Sequence, residues 1–129
     1  MGENAALIER FREAASSGDF AKLGALMTDV AGDDFVEEWP QSGERINKEN
    51  FVKLGEAYEG ATGTSPTFKL GTIRDGGDHI TVEGFIDYGN GTTAHYVGIS
   101  DLSDGKVAKL TEYFAAPFEA PEWRKPYVE

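Results

Sequence analysis

The chain has no cysteine, which excludes disulfides, thiolate metal sites and cysteine nucleophiles and leaves the redox compartment open. Histidine is nearly absent: His79 and His95 are the only two, with no HxH or HExxH spacing, so no metal site is expected. Basic residues are scarce, twelve Lys and Arg against 23 Asp and Glu, for a formal net charge of −11. Such a field repels polyphosphates, because nucleic-acid affinity rests largely on basic residues that displace counterions. Nucleic acid and anionic membranes are therefore poor partners. Long apolar runs are missing too: MGENAALIERF is too polar for a signal segment or a membrane span, and the default expectation is a cytoplasmic protein. No GxSxG elbow, phosphate-binding glycine loop or dinucleotide fingerprint occurs, so no cofactor is expected.

What is present points to a folded chain. A length of 129 residues suits one domain, 1–129. The 40% hydrophobic and 12% aromatic content argues against disorder. The first half has a helical period. Leu7, Ile8, Phe11, Ala14 and Ala15 form one apolar stripe, stopped by Gly18. Asp19 caps a second helix with Phe20, Leu23, Leu26 and Met27 on one side, and DDFVEEW is extended, with Pro40 and Gly43 marking a turn. Asn47 caps a third helix bearing Phe51, Leu54 and Tyr58 and closed by Gly60.

Beyond Gly63 come β-branched and aromatic runs separated by DGGD, YGNG and LSDGK, links that supply the positive-φ residues of tight hairpins. These runs predict an antiparallel meander, and helices followed by strands predict an α+β fold with the helices on one face of a curved sheet. Alternation in DHITVEGFIDY puts Ile80, Val82, Gly84, Ile86 and Tyr88 toward the helices. In TTAHYVGIS the apolar pair Val97 and Ile99 marks the inner side and carries His95 with it. His79 falls on the opposite side. In the last strand Ala108, Leu110, Glu112, Phe114 and Ala116 share the inner face, so His95 and Glu112 are polar groups on an apolar surface.

The helical half ending in SGDFAKLGALMTDVAGDDFVEEWPQSGERINKENF, with the strands and the closing DGKVAKLTEYFAAPFEAPEW, resembles the SnoaL-like group of the nuclear transport factor 2 (NTF2-like) superfamily over nearly the whole chain. The resemblance implies a cone, a strongly curved sheet wrapped round helices with a deep apolar pocket at its open end. That superfamily hosts ketosteroid isomerase and polyketide cyclases as well as non-catalytic binding proteins, so fold alone leaves function undecided. With the GD and DD anchors, the isomerase's oxyanion tyrosine falls on Phe11 and its general-base aspartate on Trp39; matching the Val-Glu pair instead puts Glu38 at the base position. From the GKV anchor, the second oxyanion donor falls on Val97. Apolar Phe11, Trp39 and Val97 cannot perform steroid-isomerase chemistry.

The candidate site residues follow from faces and chemistry. Glu112, flanked by Leu110 and Phe114, is a candidate general acid or poised base because desolvation raises a carboxyl pKa; the competing reading is a buried structural hydrogen bond. His95 is its candidate proton-relay partner, against a satisfied core histidine. If Trp39 points inward, Glu37 does too and Glu38 points out; the favoured reading pairs Glu37 with a cation or takes it to solvent. Tyr58 and Tyr88 offer hydroxyls to a ligand or fill the core, and Gln41 and Arg45 are candidates for the pocket rim. Phe11, Val82, Ile86 and Val97 complete the expected apolar lining.

On the outer sheet face Phe85, Tyr96 and Tyr113 predict an aromatic stripe and a homodimer. The proline-rich 117–129 segment reads as an extended C-terminal tail anchored by burial of Phe118, Trp123 and Tyr127 on the cone or a partner subunit. Three functions stay open: a pocket for a small lipid- or polyketide-like molecule, an acid/base enzyme of the cyclase or isomerase type using Glu112 and His95, and an interaction module with a filled cone.

Overall fold

A computed structural model describes residues 2–129. Helix α1 (Ala5–Ser16) buries Phe11 and Ala15. Its entry is tied down by Asn4, whose side-chain amide donates to Asp75 Oδ1 at 2.9 Å and to the Gly77 carbonyl at 2.8 Å. Asp19 caps α2 (Phe20–Val30) by accepting from the Ala21 N–H at 3.0 Å, and the helix buries Leu23, Leu26, Met27 and Val30. Asn47 caps α3 (Lys48–Thr62) by accepting from the Asn50 N–H at 2.9 Å. This helix runs past Gly60 and ends instead at Gly63, which takes φ 71° and donates to the Glu59 carbonyl. The left-handed residue terminates the helix, whereas Gly60 is merely tolerated within it.

The strands are β1 (Ala31–Trp39), β2 (Glu44–Asn47), β3 (Thr67–Asp75), β4 (His79–Asp87), β5 (Thr93–Ser103) and β6 (Lys106–Ala115). They form one open sheet in the order β2-β1-β6-β5-β4-β3. The β3 to β6 meander is antiparallel, as the turn chemistry requires, and Asp104 and Gly105 supply the two positive φ values of the β5–β6 hairpin. Two features were not foreseen: QSGERI contains the short strand β2, and β1 pairs in parallel with β6. That parallel pairing makes the sheet mixed and brings the first strand beside the last. The α+β cone follows, with α1 and α2 packed on the concave side around Phe11, Phe35, Ile80, Ile86 and Val107, each almost fully buried.

Register shifts in β3 near Gly71 and in β6 near Ala108 bend the sheet. The second places Val107 at 0% exposure while Ala108 stays half-buried, correcting the uninterrupted alternation expected along β6. The tail also departs from expectation. It forms a 3₁₀ turn, Glu122–Tyr127, that contains Pro126, and Phe118, Trp123 and Tyr127 are 82%, 72% and 83% exposed rather than buried on their own chain. Pro117 and Pro121 cannot donate to a ladder, so the chain leaves the sheet after β6. Among the described residues no helix is long and apolar enough to cross a membrane.

Candidate functional site

A cavity of about 1120 Å³ lies between the inner sheet face and the helices, lined also by residues of the 64–67 segment. Strand alternation builds its floor. Along β1, Phe35, Glu37 and Trp39 point inward while Val36 and Glu38 point out. Glu38 is held outside by Arg45 at 2.6 Å and Lys109 at 3.8 Å, so neither Glu38 nor Arg45 belongs to the cavity. Along β6, Leu110, Glu112 and Phe114 face in, and β5 adds Tyr96, Gly98 and Ser100. Phe11, Tyr58, Val82 and Tyr88 also line the space. Gln41, which lines the cavity, accepts from the Phe114 N–H at 2.6 Å and donates to its carbonyl at 2.7 Å, a side-chain rung that holds the turn after β1 against β6.

Four groups meet at the floor. Glu112, 6% exposed, accepts from Trp39 Nε1 at 3.0 Å and from the Tyr96 hydroxyl. Burial, and then the nearby Glu112 charge, push the Tyr96 phenol well above its usual range, so it remains a donor. Its ring is locked by Phe20, Phe68 and Phe114, at centroid distances of 5.2, 5.7 and 5.5 Å. Glu37 is 3% exposed, and its Oε1 has no protein partner. Burial first, then a hydrogen bond to Glu112 and the charge beside it, push the Glu37 carboxyl up to about 10. Burial beside a second carboxyl thus favours the neutral, protonated form of Glu37. The Glu112 carboxyl sits among Trp39, Tyr96 and Glu37 with no cation beside it, a network in which each buried polar group depends on the others. Burial, then Tyr58 and Glu112, also push the Tyr88 phenol up.

This arrangement corrects several expectations. Glu37 neither pairs with a cation nor reaches solvent; its partner is a second carboxyl. His95 is exposed on the outer face, its ring 5.1 Å from that of Phe85, and cannot relay a proton to Glu112. Val97 lies on the same outer face opposite Tyr113, and Ile86 is fully buried in the core without lining the cavity. Tyr96 leaves the outer stripe and becomes a central cavity residue. His79 shares the outer face with His95, but the two stand at opposite ends of the β4–β5 hairpin. Among the described residues no group of three or more His, Asp or Glu is placed to hold a metal ion.

The departure lies in β5, whose greasy residues, Val97 and Ile99, lie outside while its small and hydroxylated ones line a hollow. A signal for the right face does exist. The YGNG link pairs Asp87 with Thr93, so even residues of β4 face even residues of β5. The inward Val82, Gly84 and Ile86 then demand inward Gly98, Tyr96 and Ala94.

No protein-family model and no curated protein sequence matches the chain. Solved structures do. An NTF2-like protein of unknown function from Burkholderia xenovorans is 34% identical with a TM-score of 0.73, over 95% of each chain. A proposed ketosteroid isomerase from Kribbella flavida is 18% identical with a TM-score of 0.76, over 96% of this chain and 86% of its own. A proposed polyketide cyclase from Sinorhizobium meliloti is 18% identical with a TM-score of 0.61, over 84% and 94%. The two at 18% share the fold, while the first shares sequence along almost the whole length: the chain belongs to the NTF2-like superfamily.

Proposed function

We propose that the protein binds a small, largely apolar organic molecule of lipid or polyketide size, with its polar end against Glu37 and Glu112. The observation that carries this reading is a cavity of about 1120 Å³ whose apolar walls close on one cluster of polar groups. Ligand sites commonly combine an apolar lining with a few convergent polar groups, and a space of this size argues against a cone filled by its own side chains. The uncharged dye Nile red provides the test. It should bind saturably, with one site per chain and blue-shifted emission. Gly24 lines the cavity, and a Cβ there meets nothing within 4 Å, so Gly24→Phe should grow into the space and weaken the dye about tenfold or more. Absence of saturable binding, or indifference to Gly24→Phe, counts against the reading.

The carboxyl pair also favours an acid/base enzyme of the cyclase or isomerase type. Neighbouring carboxyls held in different protonation states can divide the roles of base and acid. In that reading Glu112 takes a proton from a carbon next to a carbonyl and returns it elsewhere on the same molecule, while neutral Glu37 supports the transient charge. His95 has no part in it.

A homodimer through the outer face belongs to the same proposal. Phe85, Val97, Ile99 and Tyr113 turn away from the helices on neighbouring strands, an apolar surface of the kind that marks interfaces. Light scattering after size exclusion should give about twice the 14.0 kDa of the chain. A mass near 14.0 kDa at micromolar concentration rejects the dimer.

A further inference from the structure

From the charge and ring content of the cavity wall we infer that the ligand is an organic cation, an amine with an apolar body. The inference rests on the binding reading above and narrows it to one chemical class. Five acidic residues line the cavity, Asp19, Glu37, Glu56, Glu59 and Glu112, and no Lys, Arg or His among the described residues does. Glu112 is buried among Trp39, Tyr96 and Glu37, and its two hydrogen-bond donors, the Trp39 indole and the Tyr96 hydroxyl, carry no charge. A cavity wall that carries acidic groups and no basic one leaves a negative potential in a poorly solvated space, and a cation placed there is attracted more strongly than in water.

Two independent features point the same way. Glu37 lines the cavity and its buried Oε1 lacks a protein donor, so a small turn of the carboxyl brings an unengaged acceptor to an ammonium N–H. The wall is also unusually aromatic: Trp39, Tyr58, Tyr88, Tyr96 and Phe114 surround the floor. The negative faces of such rings attract cations, and ammonium groups are commonly held between rings and a carboxylate. Exposed Glu56 and Glu59 of α3, which also line the cavity, concentrate cations within a chain of net charge −11 and repel fatty acids and other anionic lipids. A carboxylate ligand would have to approach Glu112 with no basic residue to receive it.

A matched ligand series tests the inference by isothermal titration calorimetry at neutral pH and low salt. Naphthylmethyl dimethylamine carries the cation, isobutylnaphthalene is its uncharged isostere, and naphthylacetate is the anion. The amine should bind about tenfold or more tighter than the hydrocarbon, and the acetate about tenfold or more weaker. In Glu112→Gln, which keeps an acceptor for Trp39, the preference for the amine should fall below about threefold. A hydrocarbon that binds as well as the amine, or an acetate that binds better, overturns the inference. If Nile red binds and none of the three compounds does, the cationic class is wrong while the binding reading stands. If Nile red fails as well, both fall together.

Discussion

Glu37→Gln should make the protein more stable at about pH 8, by about 2–4 kcal/mol, and flatten its stability between about pH 6 and pH 9. The sign follows from protons bound. The Glu37 carboxyl is pushed up to about 10 from an ordinary 4.5, chiefly by burial. Between those limits the folded chain holds a proton that the unfolded chain has released. The stability associated with that proton is fully present below the lower limit and is lost as pH rises, by at most about 1.4 kcal/mol per pH unit. Gln keeps an N–H donor facing Glu112 and has nothing to titrate. Asp75 and Asp78 act in the opposite sense. The Asn4 side chain holds Asp75 below its ordinary range, and the His79 hydrogen bond does the same for Asp78. Any stability they contribute is lost only as pH falls. Urea unfolding of both proteins at about pH 6 and about pH 8.5 separates these contributions. A wild type indifferent to alkaline pH, or a destabilised Glu37→Gln, contradicts the assignment.

Gly98→Ala should destabilise the protein by about 2–4 kcal/mol, although it adds one methyl group. A Cβ at position 98 would stand 2.9 Å from Tyr96 Cζ and 3.0 Å from Cε2, with the hydroxyl nearer still. The ring lies along its own strand because position 98 has no side chain. It cannot easily retreat, since Phe20, Phe68 and Phe114 enclose it. Displacing it takes the hydroxyl from Glu112 and leaves a buried carboxyl one donor short. Tyr96→Phe isolates the second effect. If both changes act through the same hydrogen bond, the double substitution costs less than the sum of the singles. Chemical denaturation of the four proteins measures this, and a neutral Gly98→Ala or strictly additive losses would argue that Tyr96 is not held where the site needs it.

How far the sequence reveals this site varies from strand to strand. The helices are legible because their ends are written locally, in Asp19, Asn47 and the glycines at positive φ, and the meander because its turns are written in DGGD, YGNG and LSDGK. Alternation puts Glu37 inside with Trp39 and Glu38 outside, since nothing interrupts EEW. The partnership of Glu37 with Glu112 is not local. It depends on parallel pairing of β1 with β6, and Trp39 and Glu112 stand 73 residues apart in sequence. No spacing announces that meeting. On β5 the rule that apolar residues face inward fails because the concave side encloses a hollow and the convex side carries the grease. Hairpin register, not hydrophobicity, is the guide there. The exposed rings of the tail likewise follow from where the prolines end the sheet rather than from the affinity of aromatic residues for a core.

At the floor of the apolar cavity Glu37 should be a neutral glutamic acid that donates to the Glu112 carboxyl. Infrared difference spectroscopy of wild type against Glu37→Gln at neutral pH reads it directly. A carbonyl stretch of a protonated, buried carboxylic acid should be present in the wild type and missing from Glu37→Gln. If the wild type shows carboxylate bands alone, with no acid carbonyl lost on substitution, Glu37 is ionised and the account of the site is wrong.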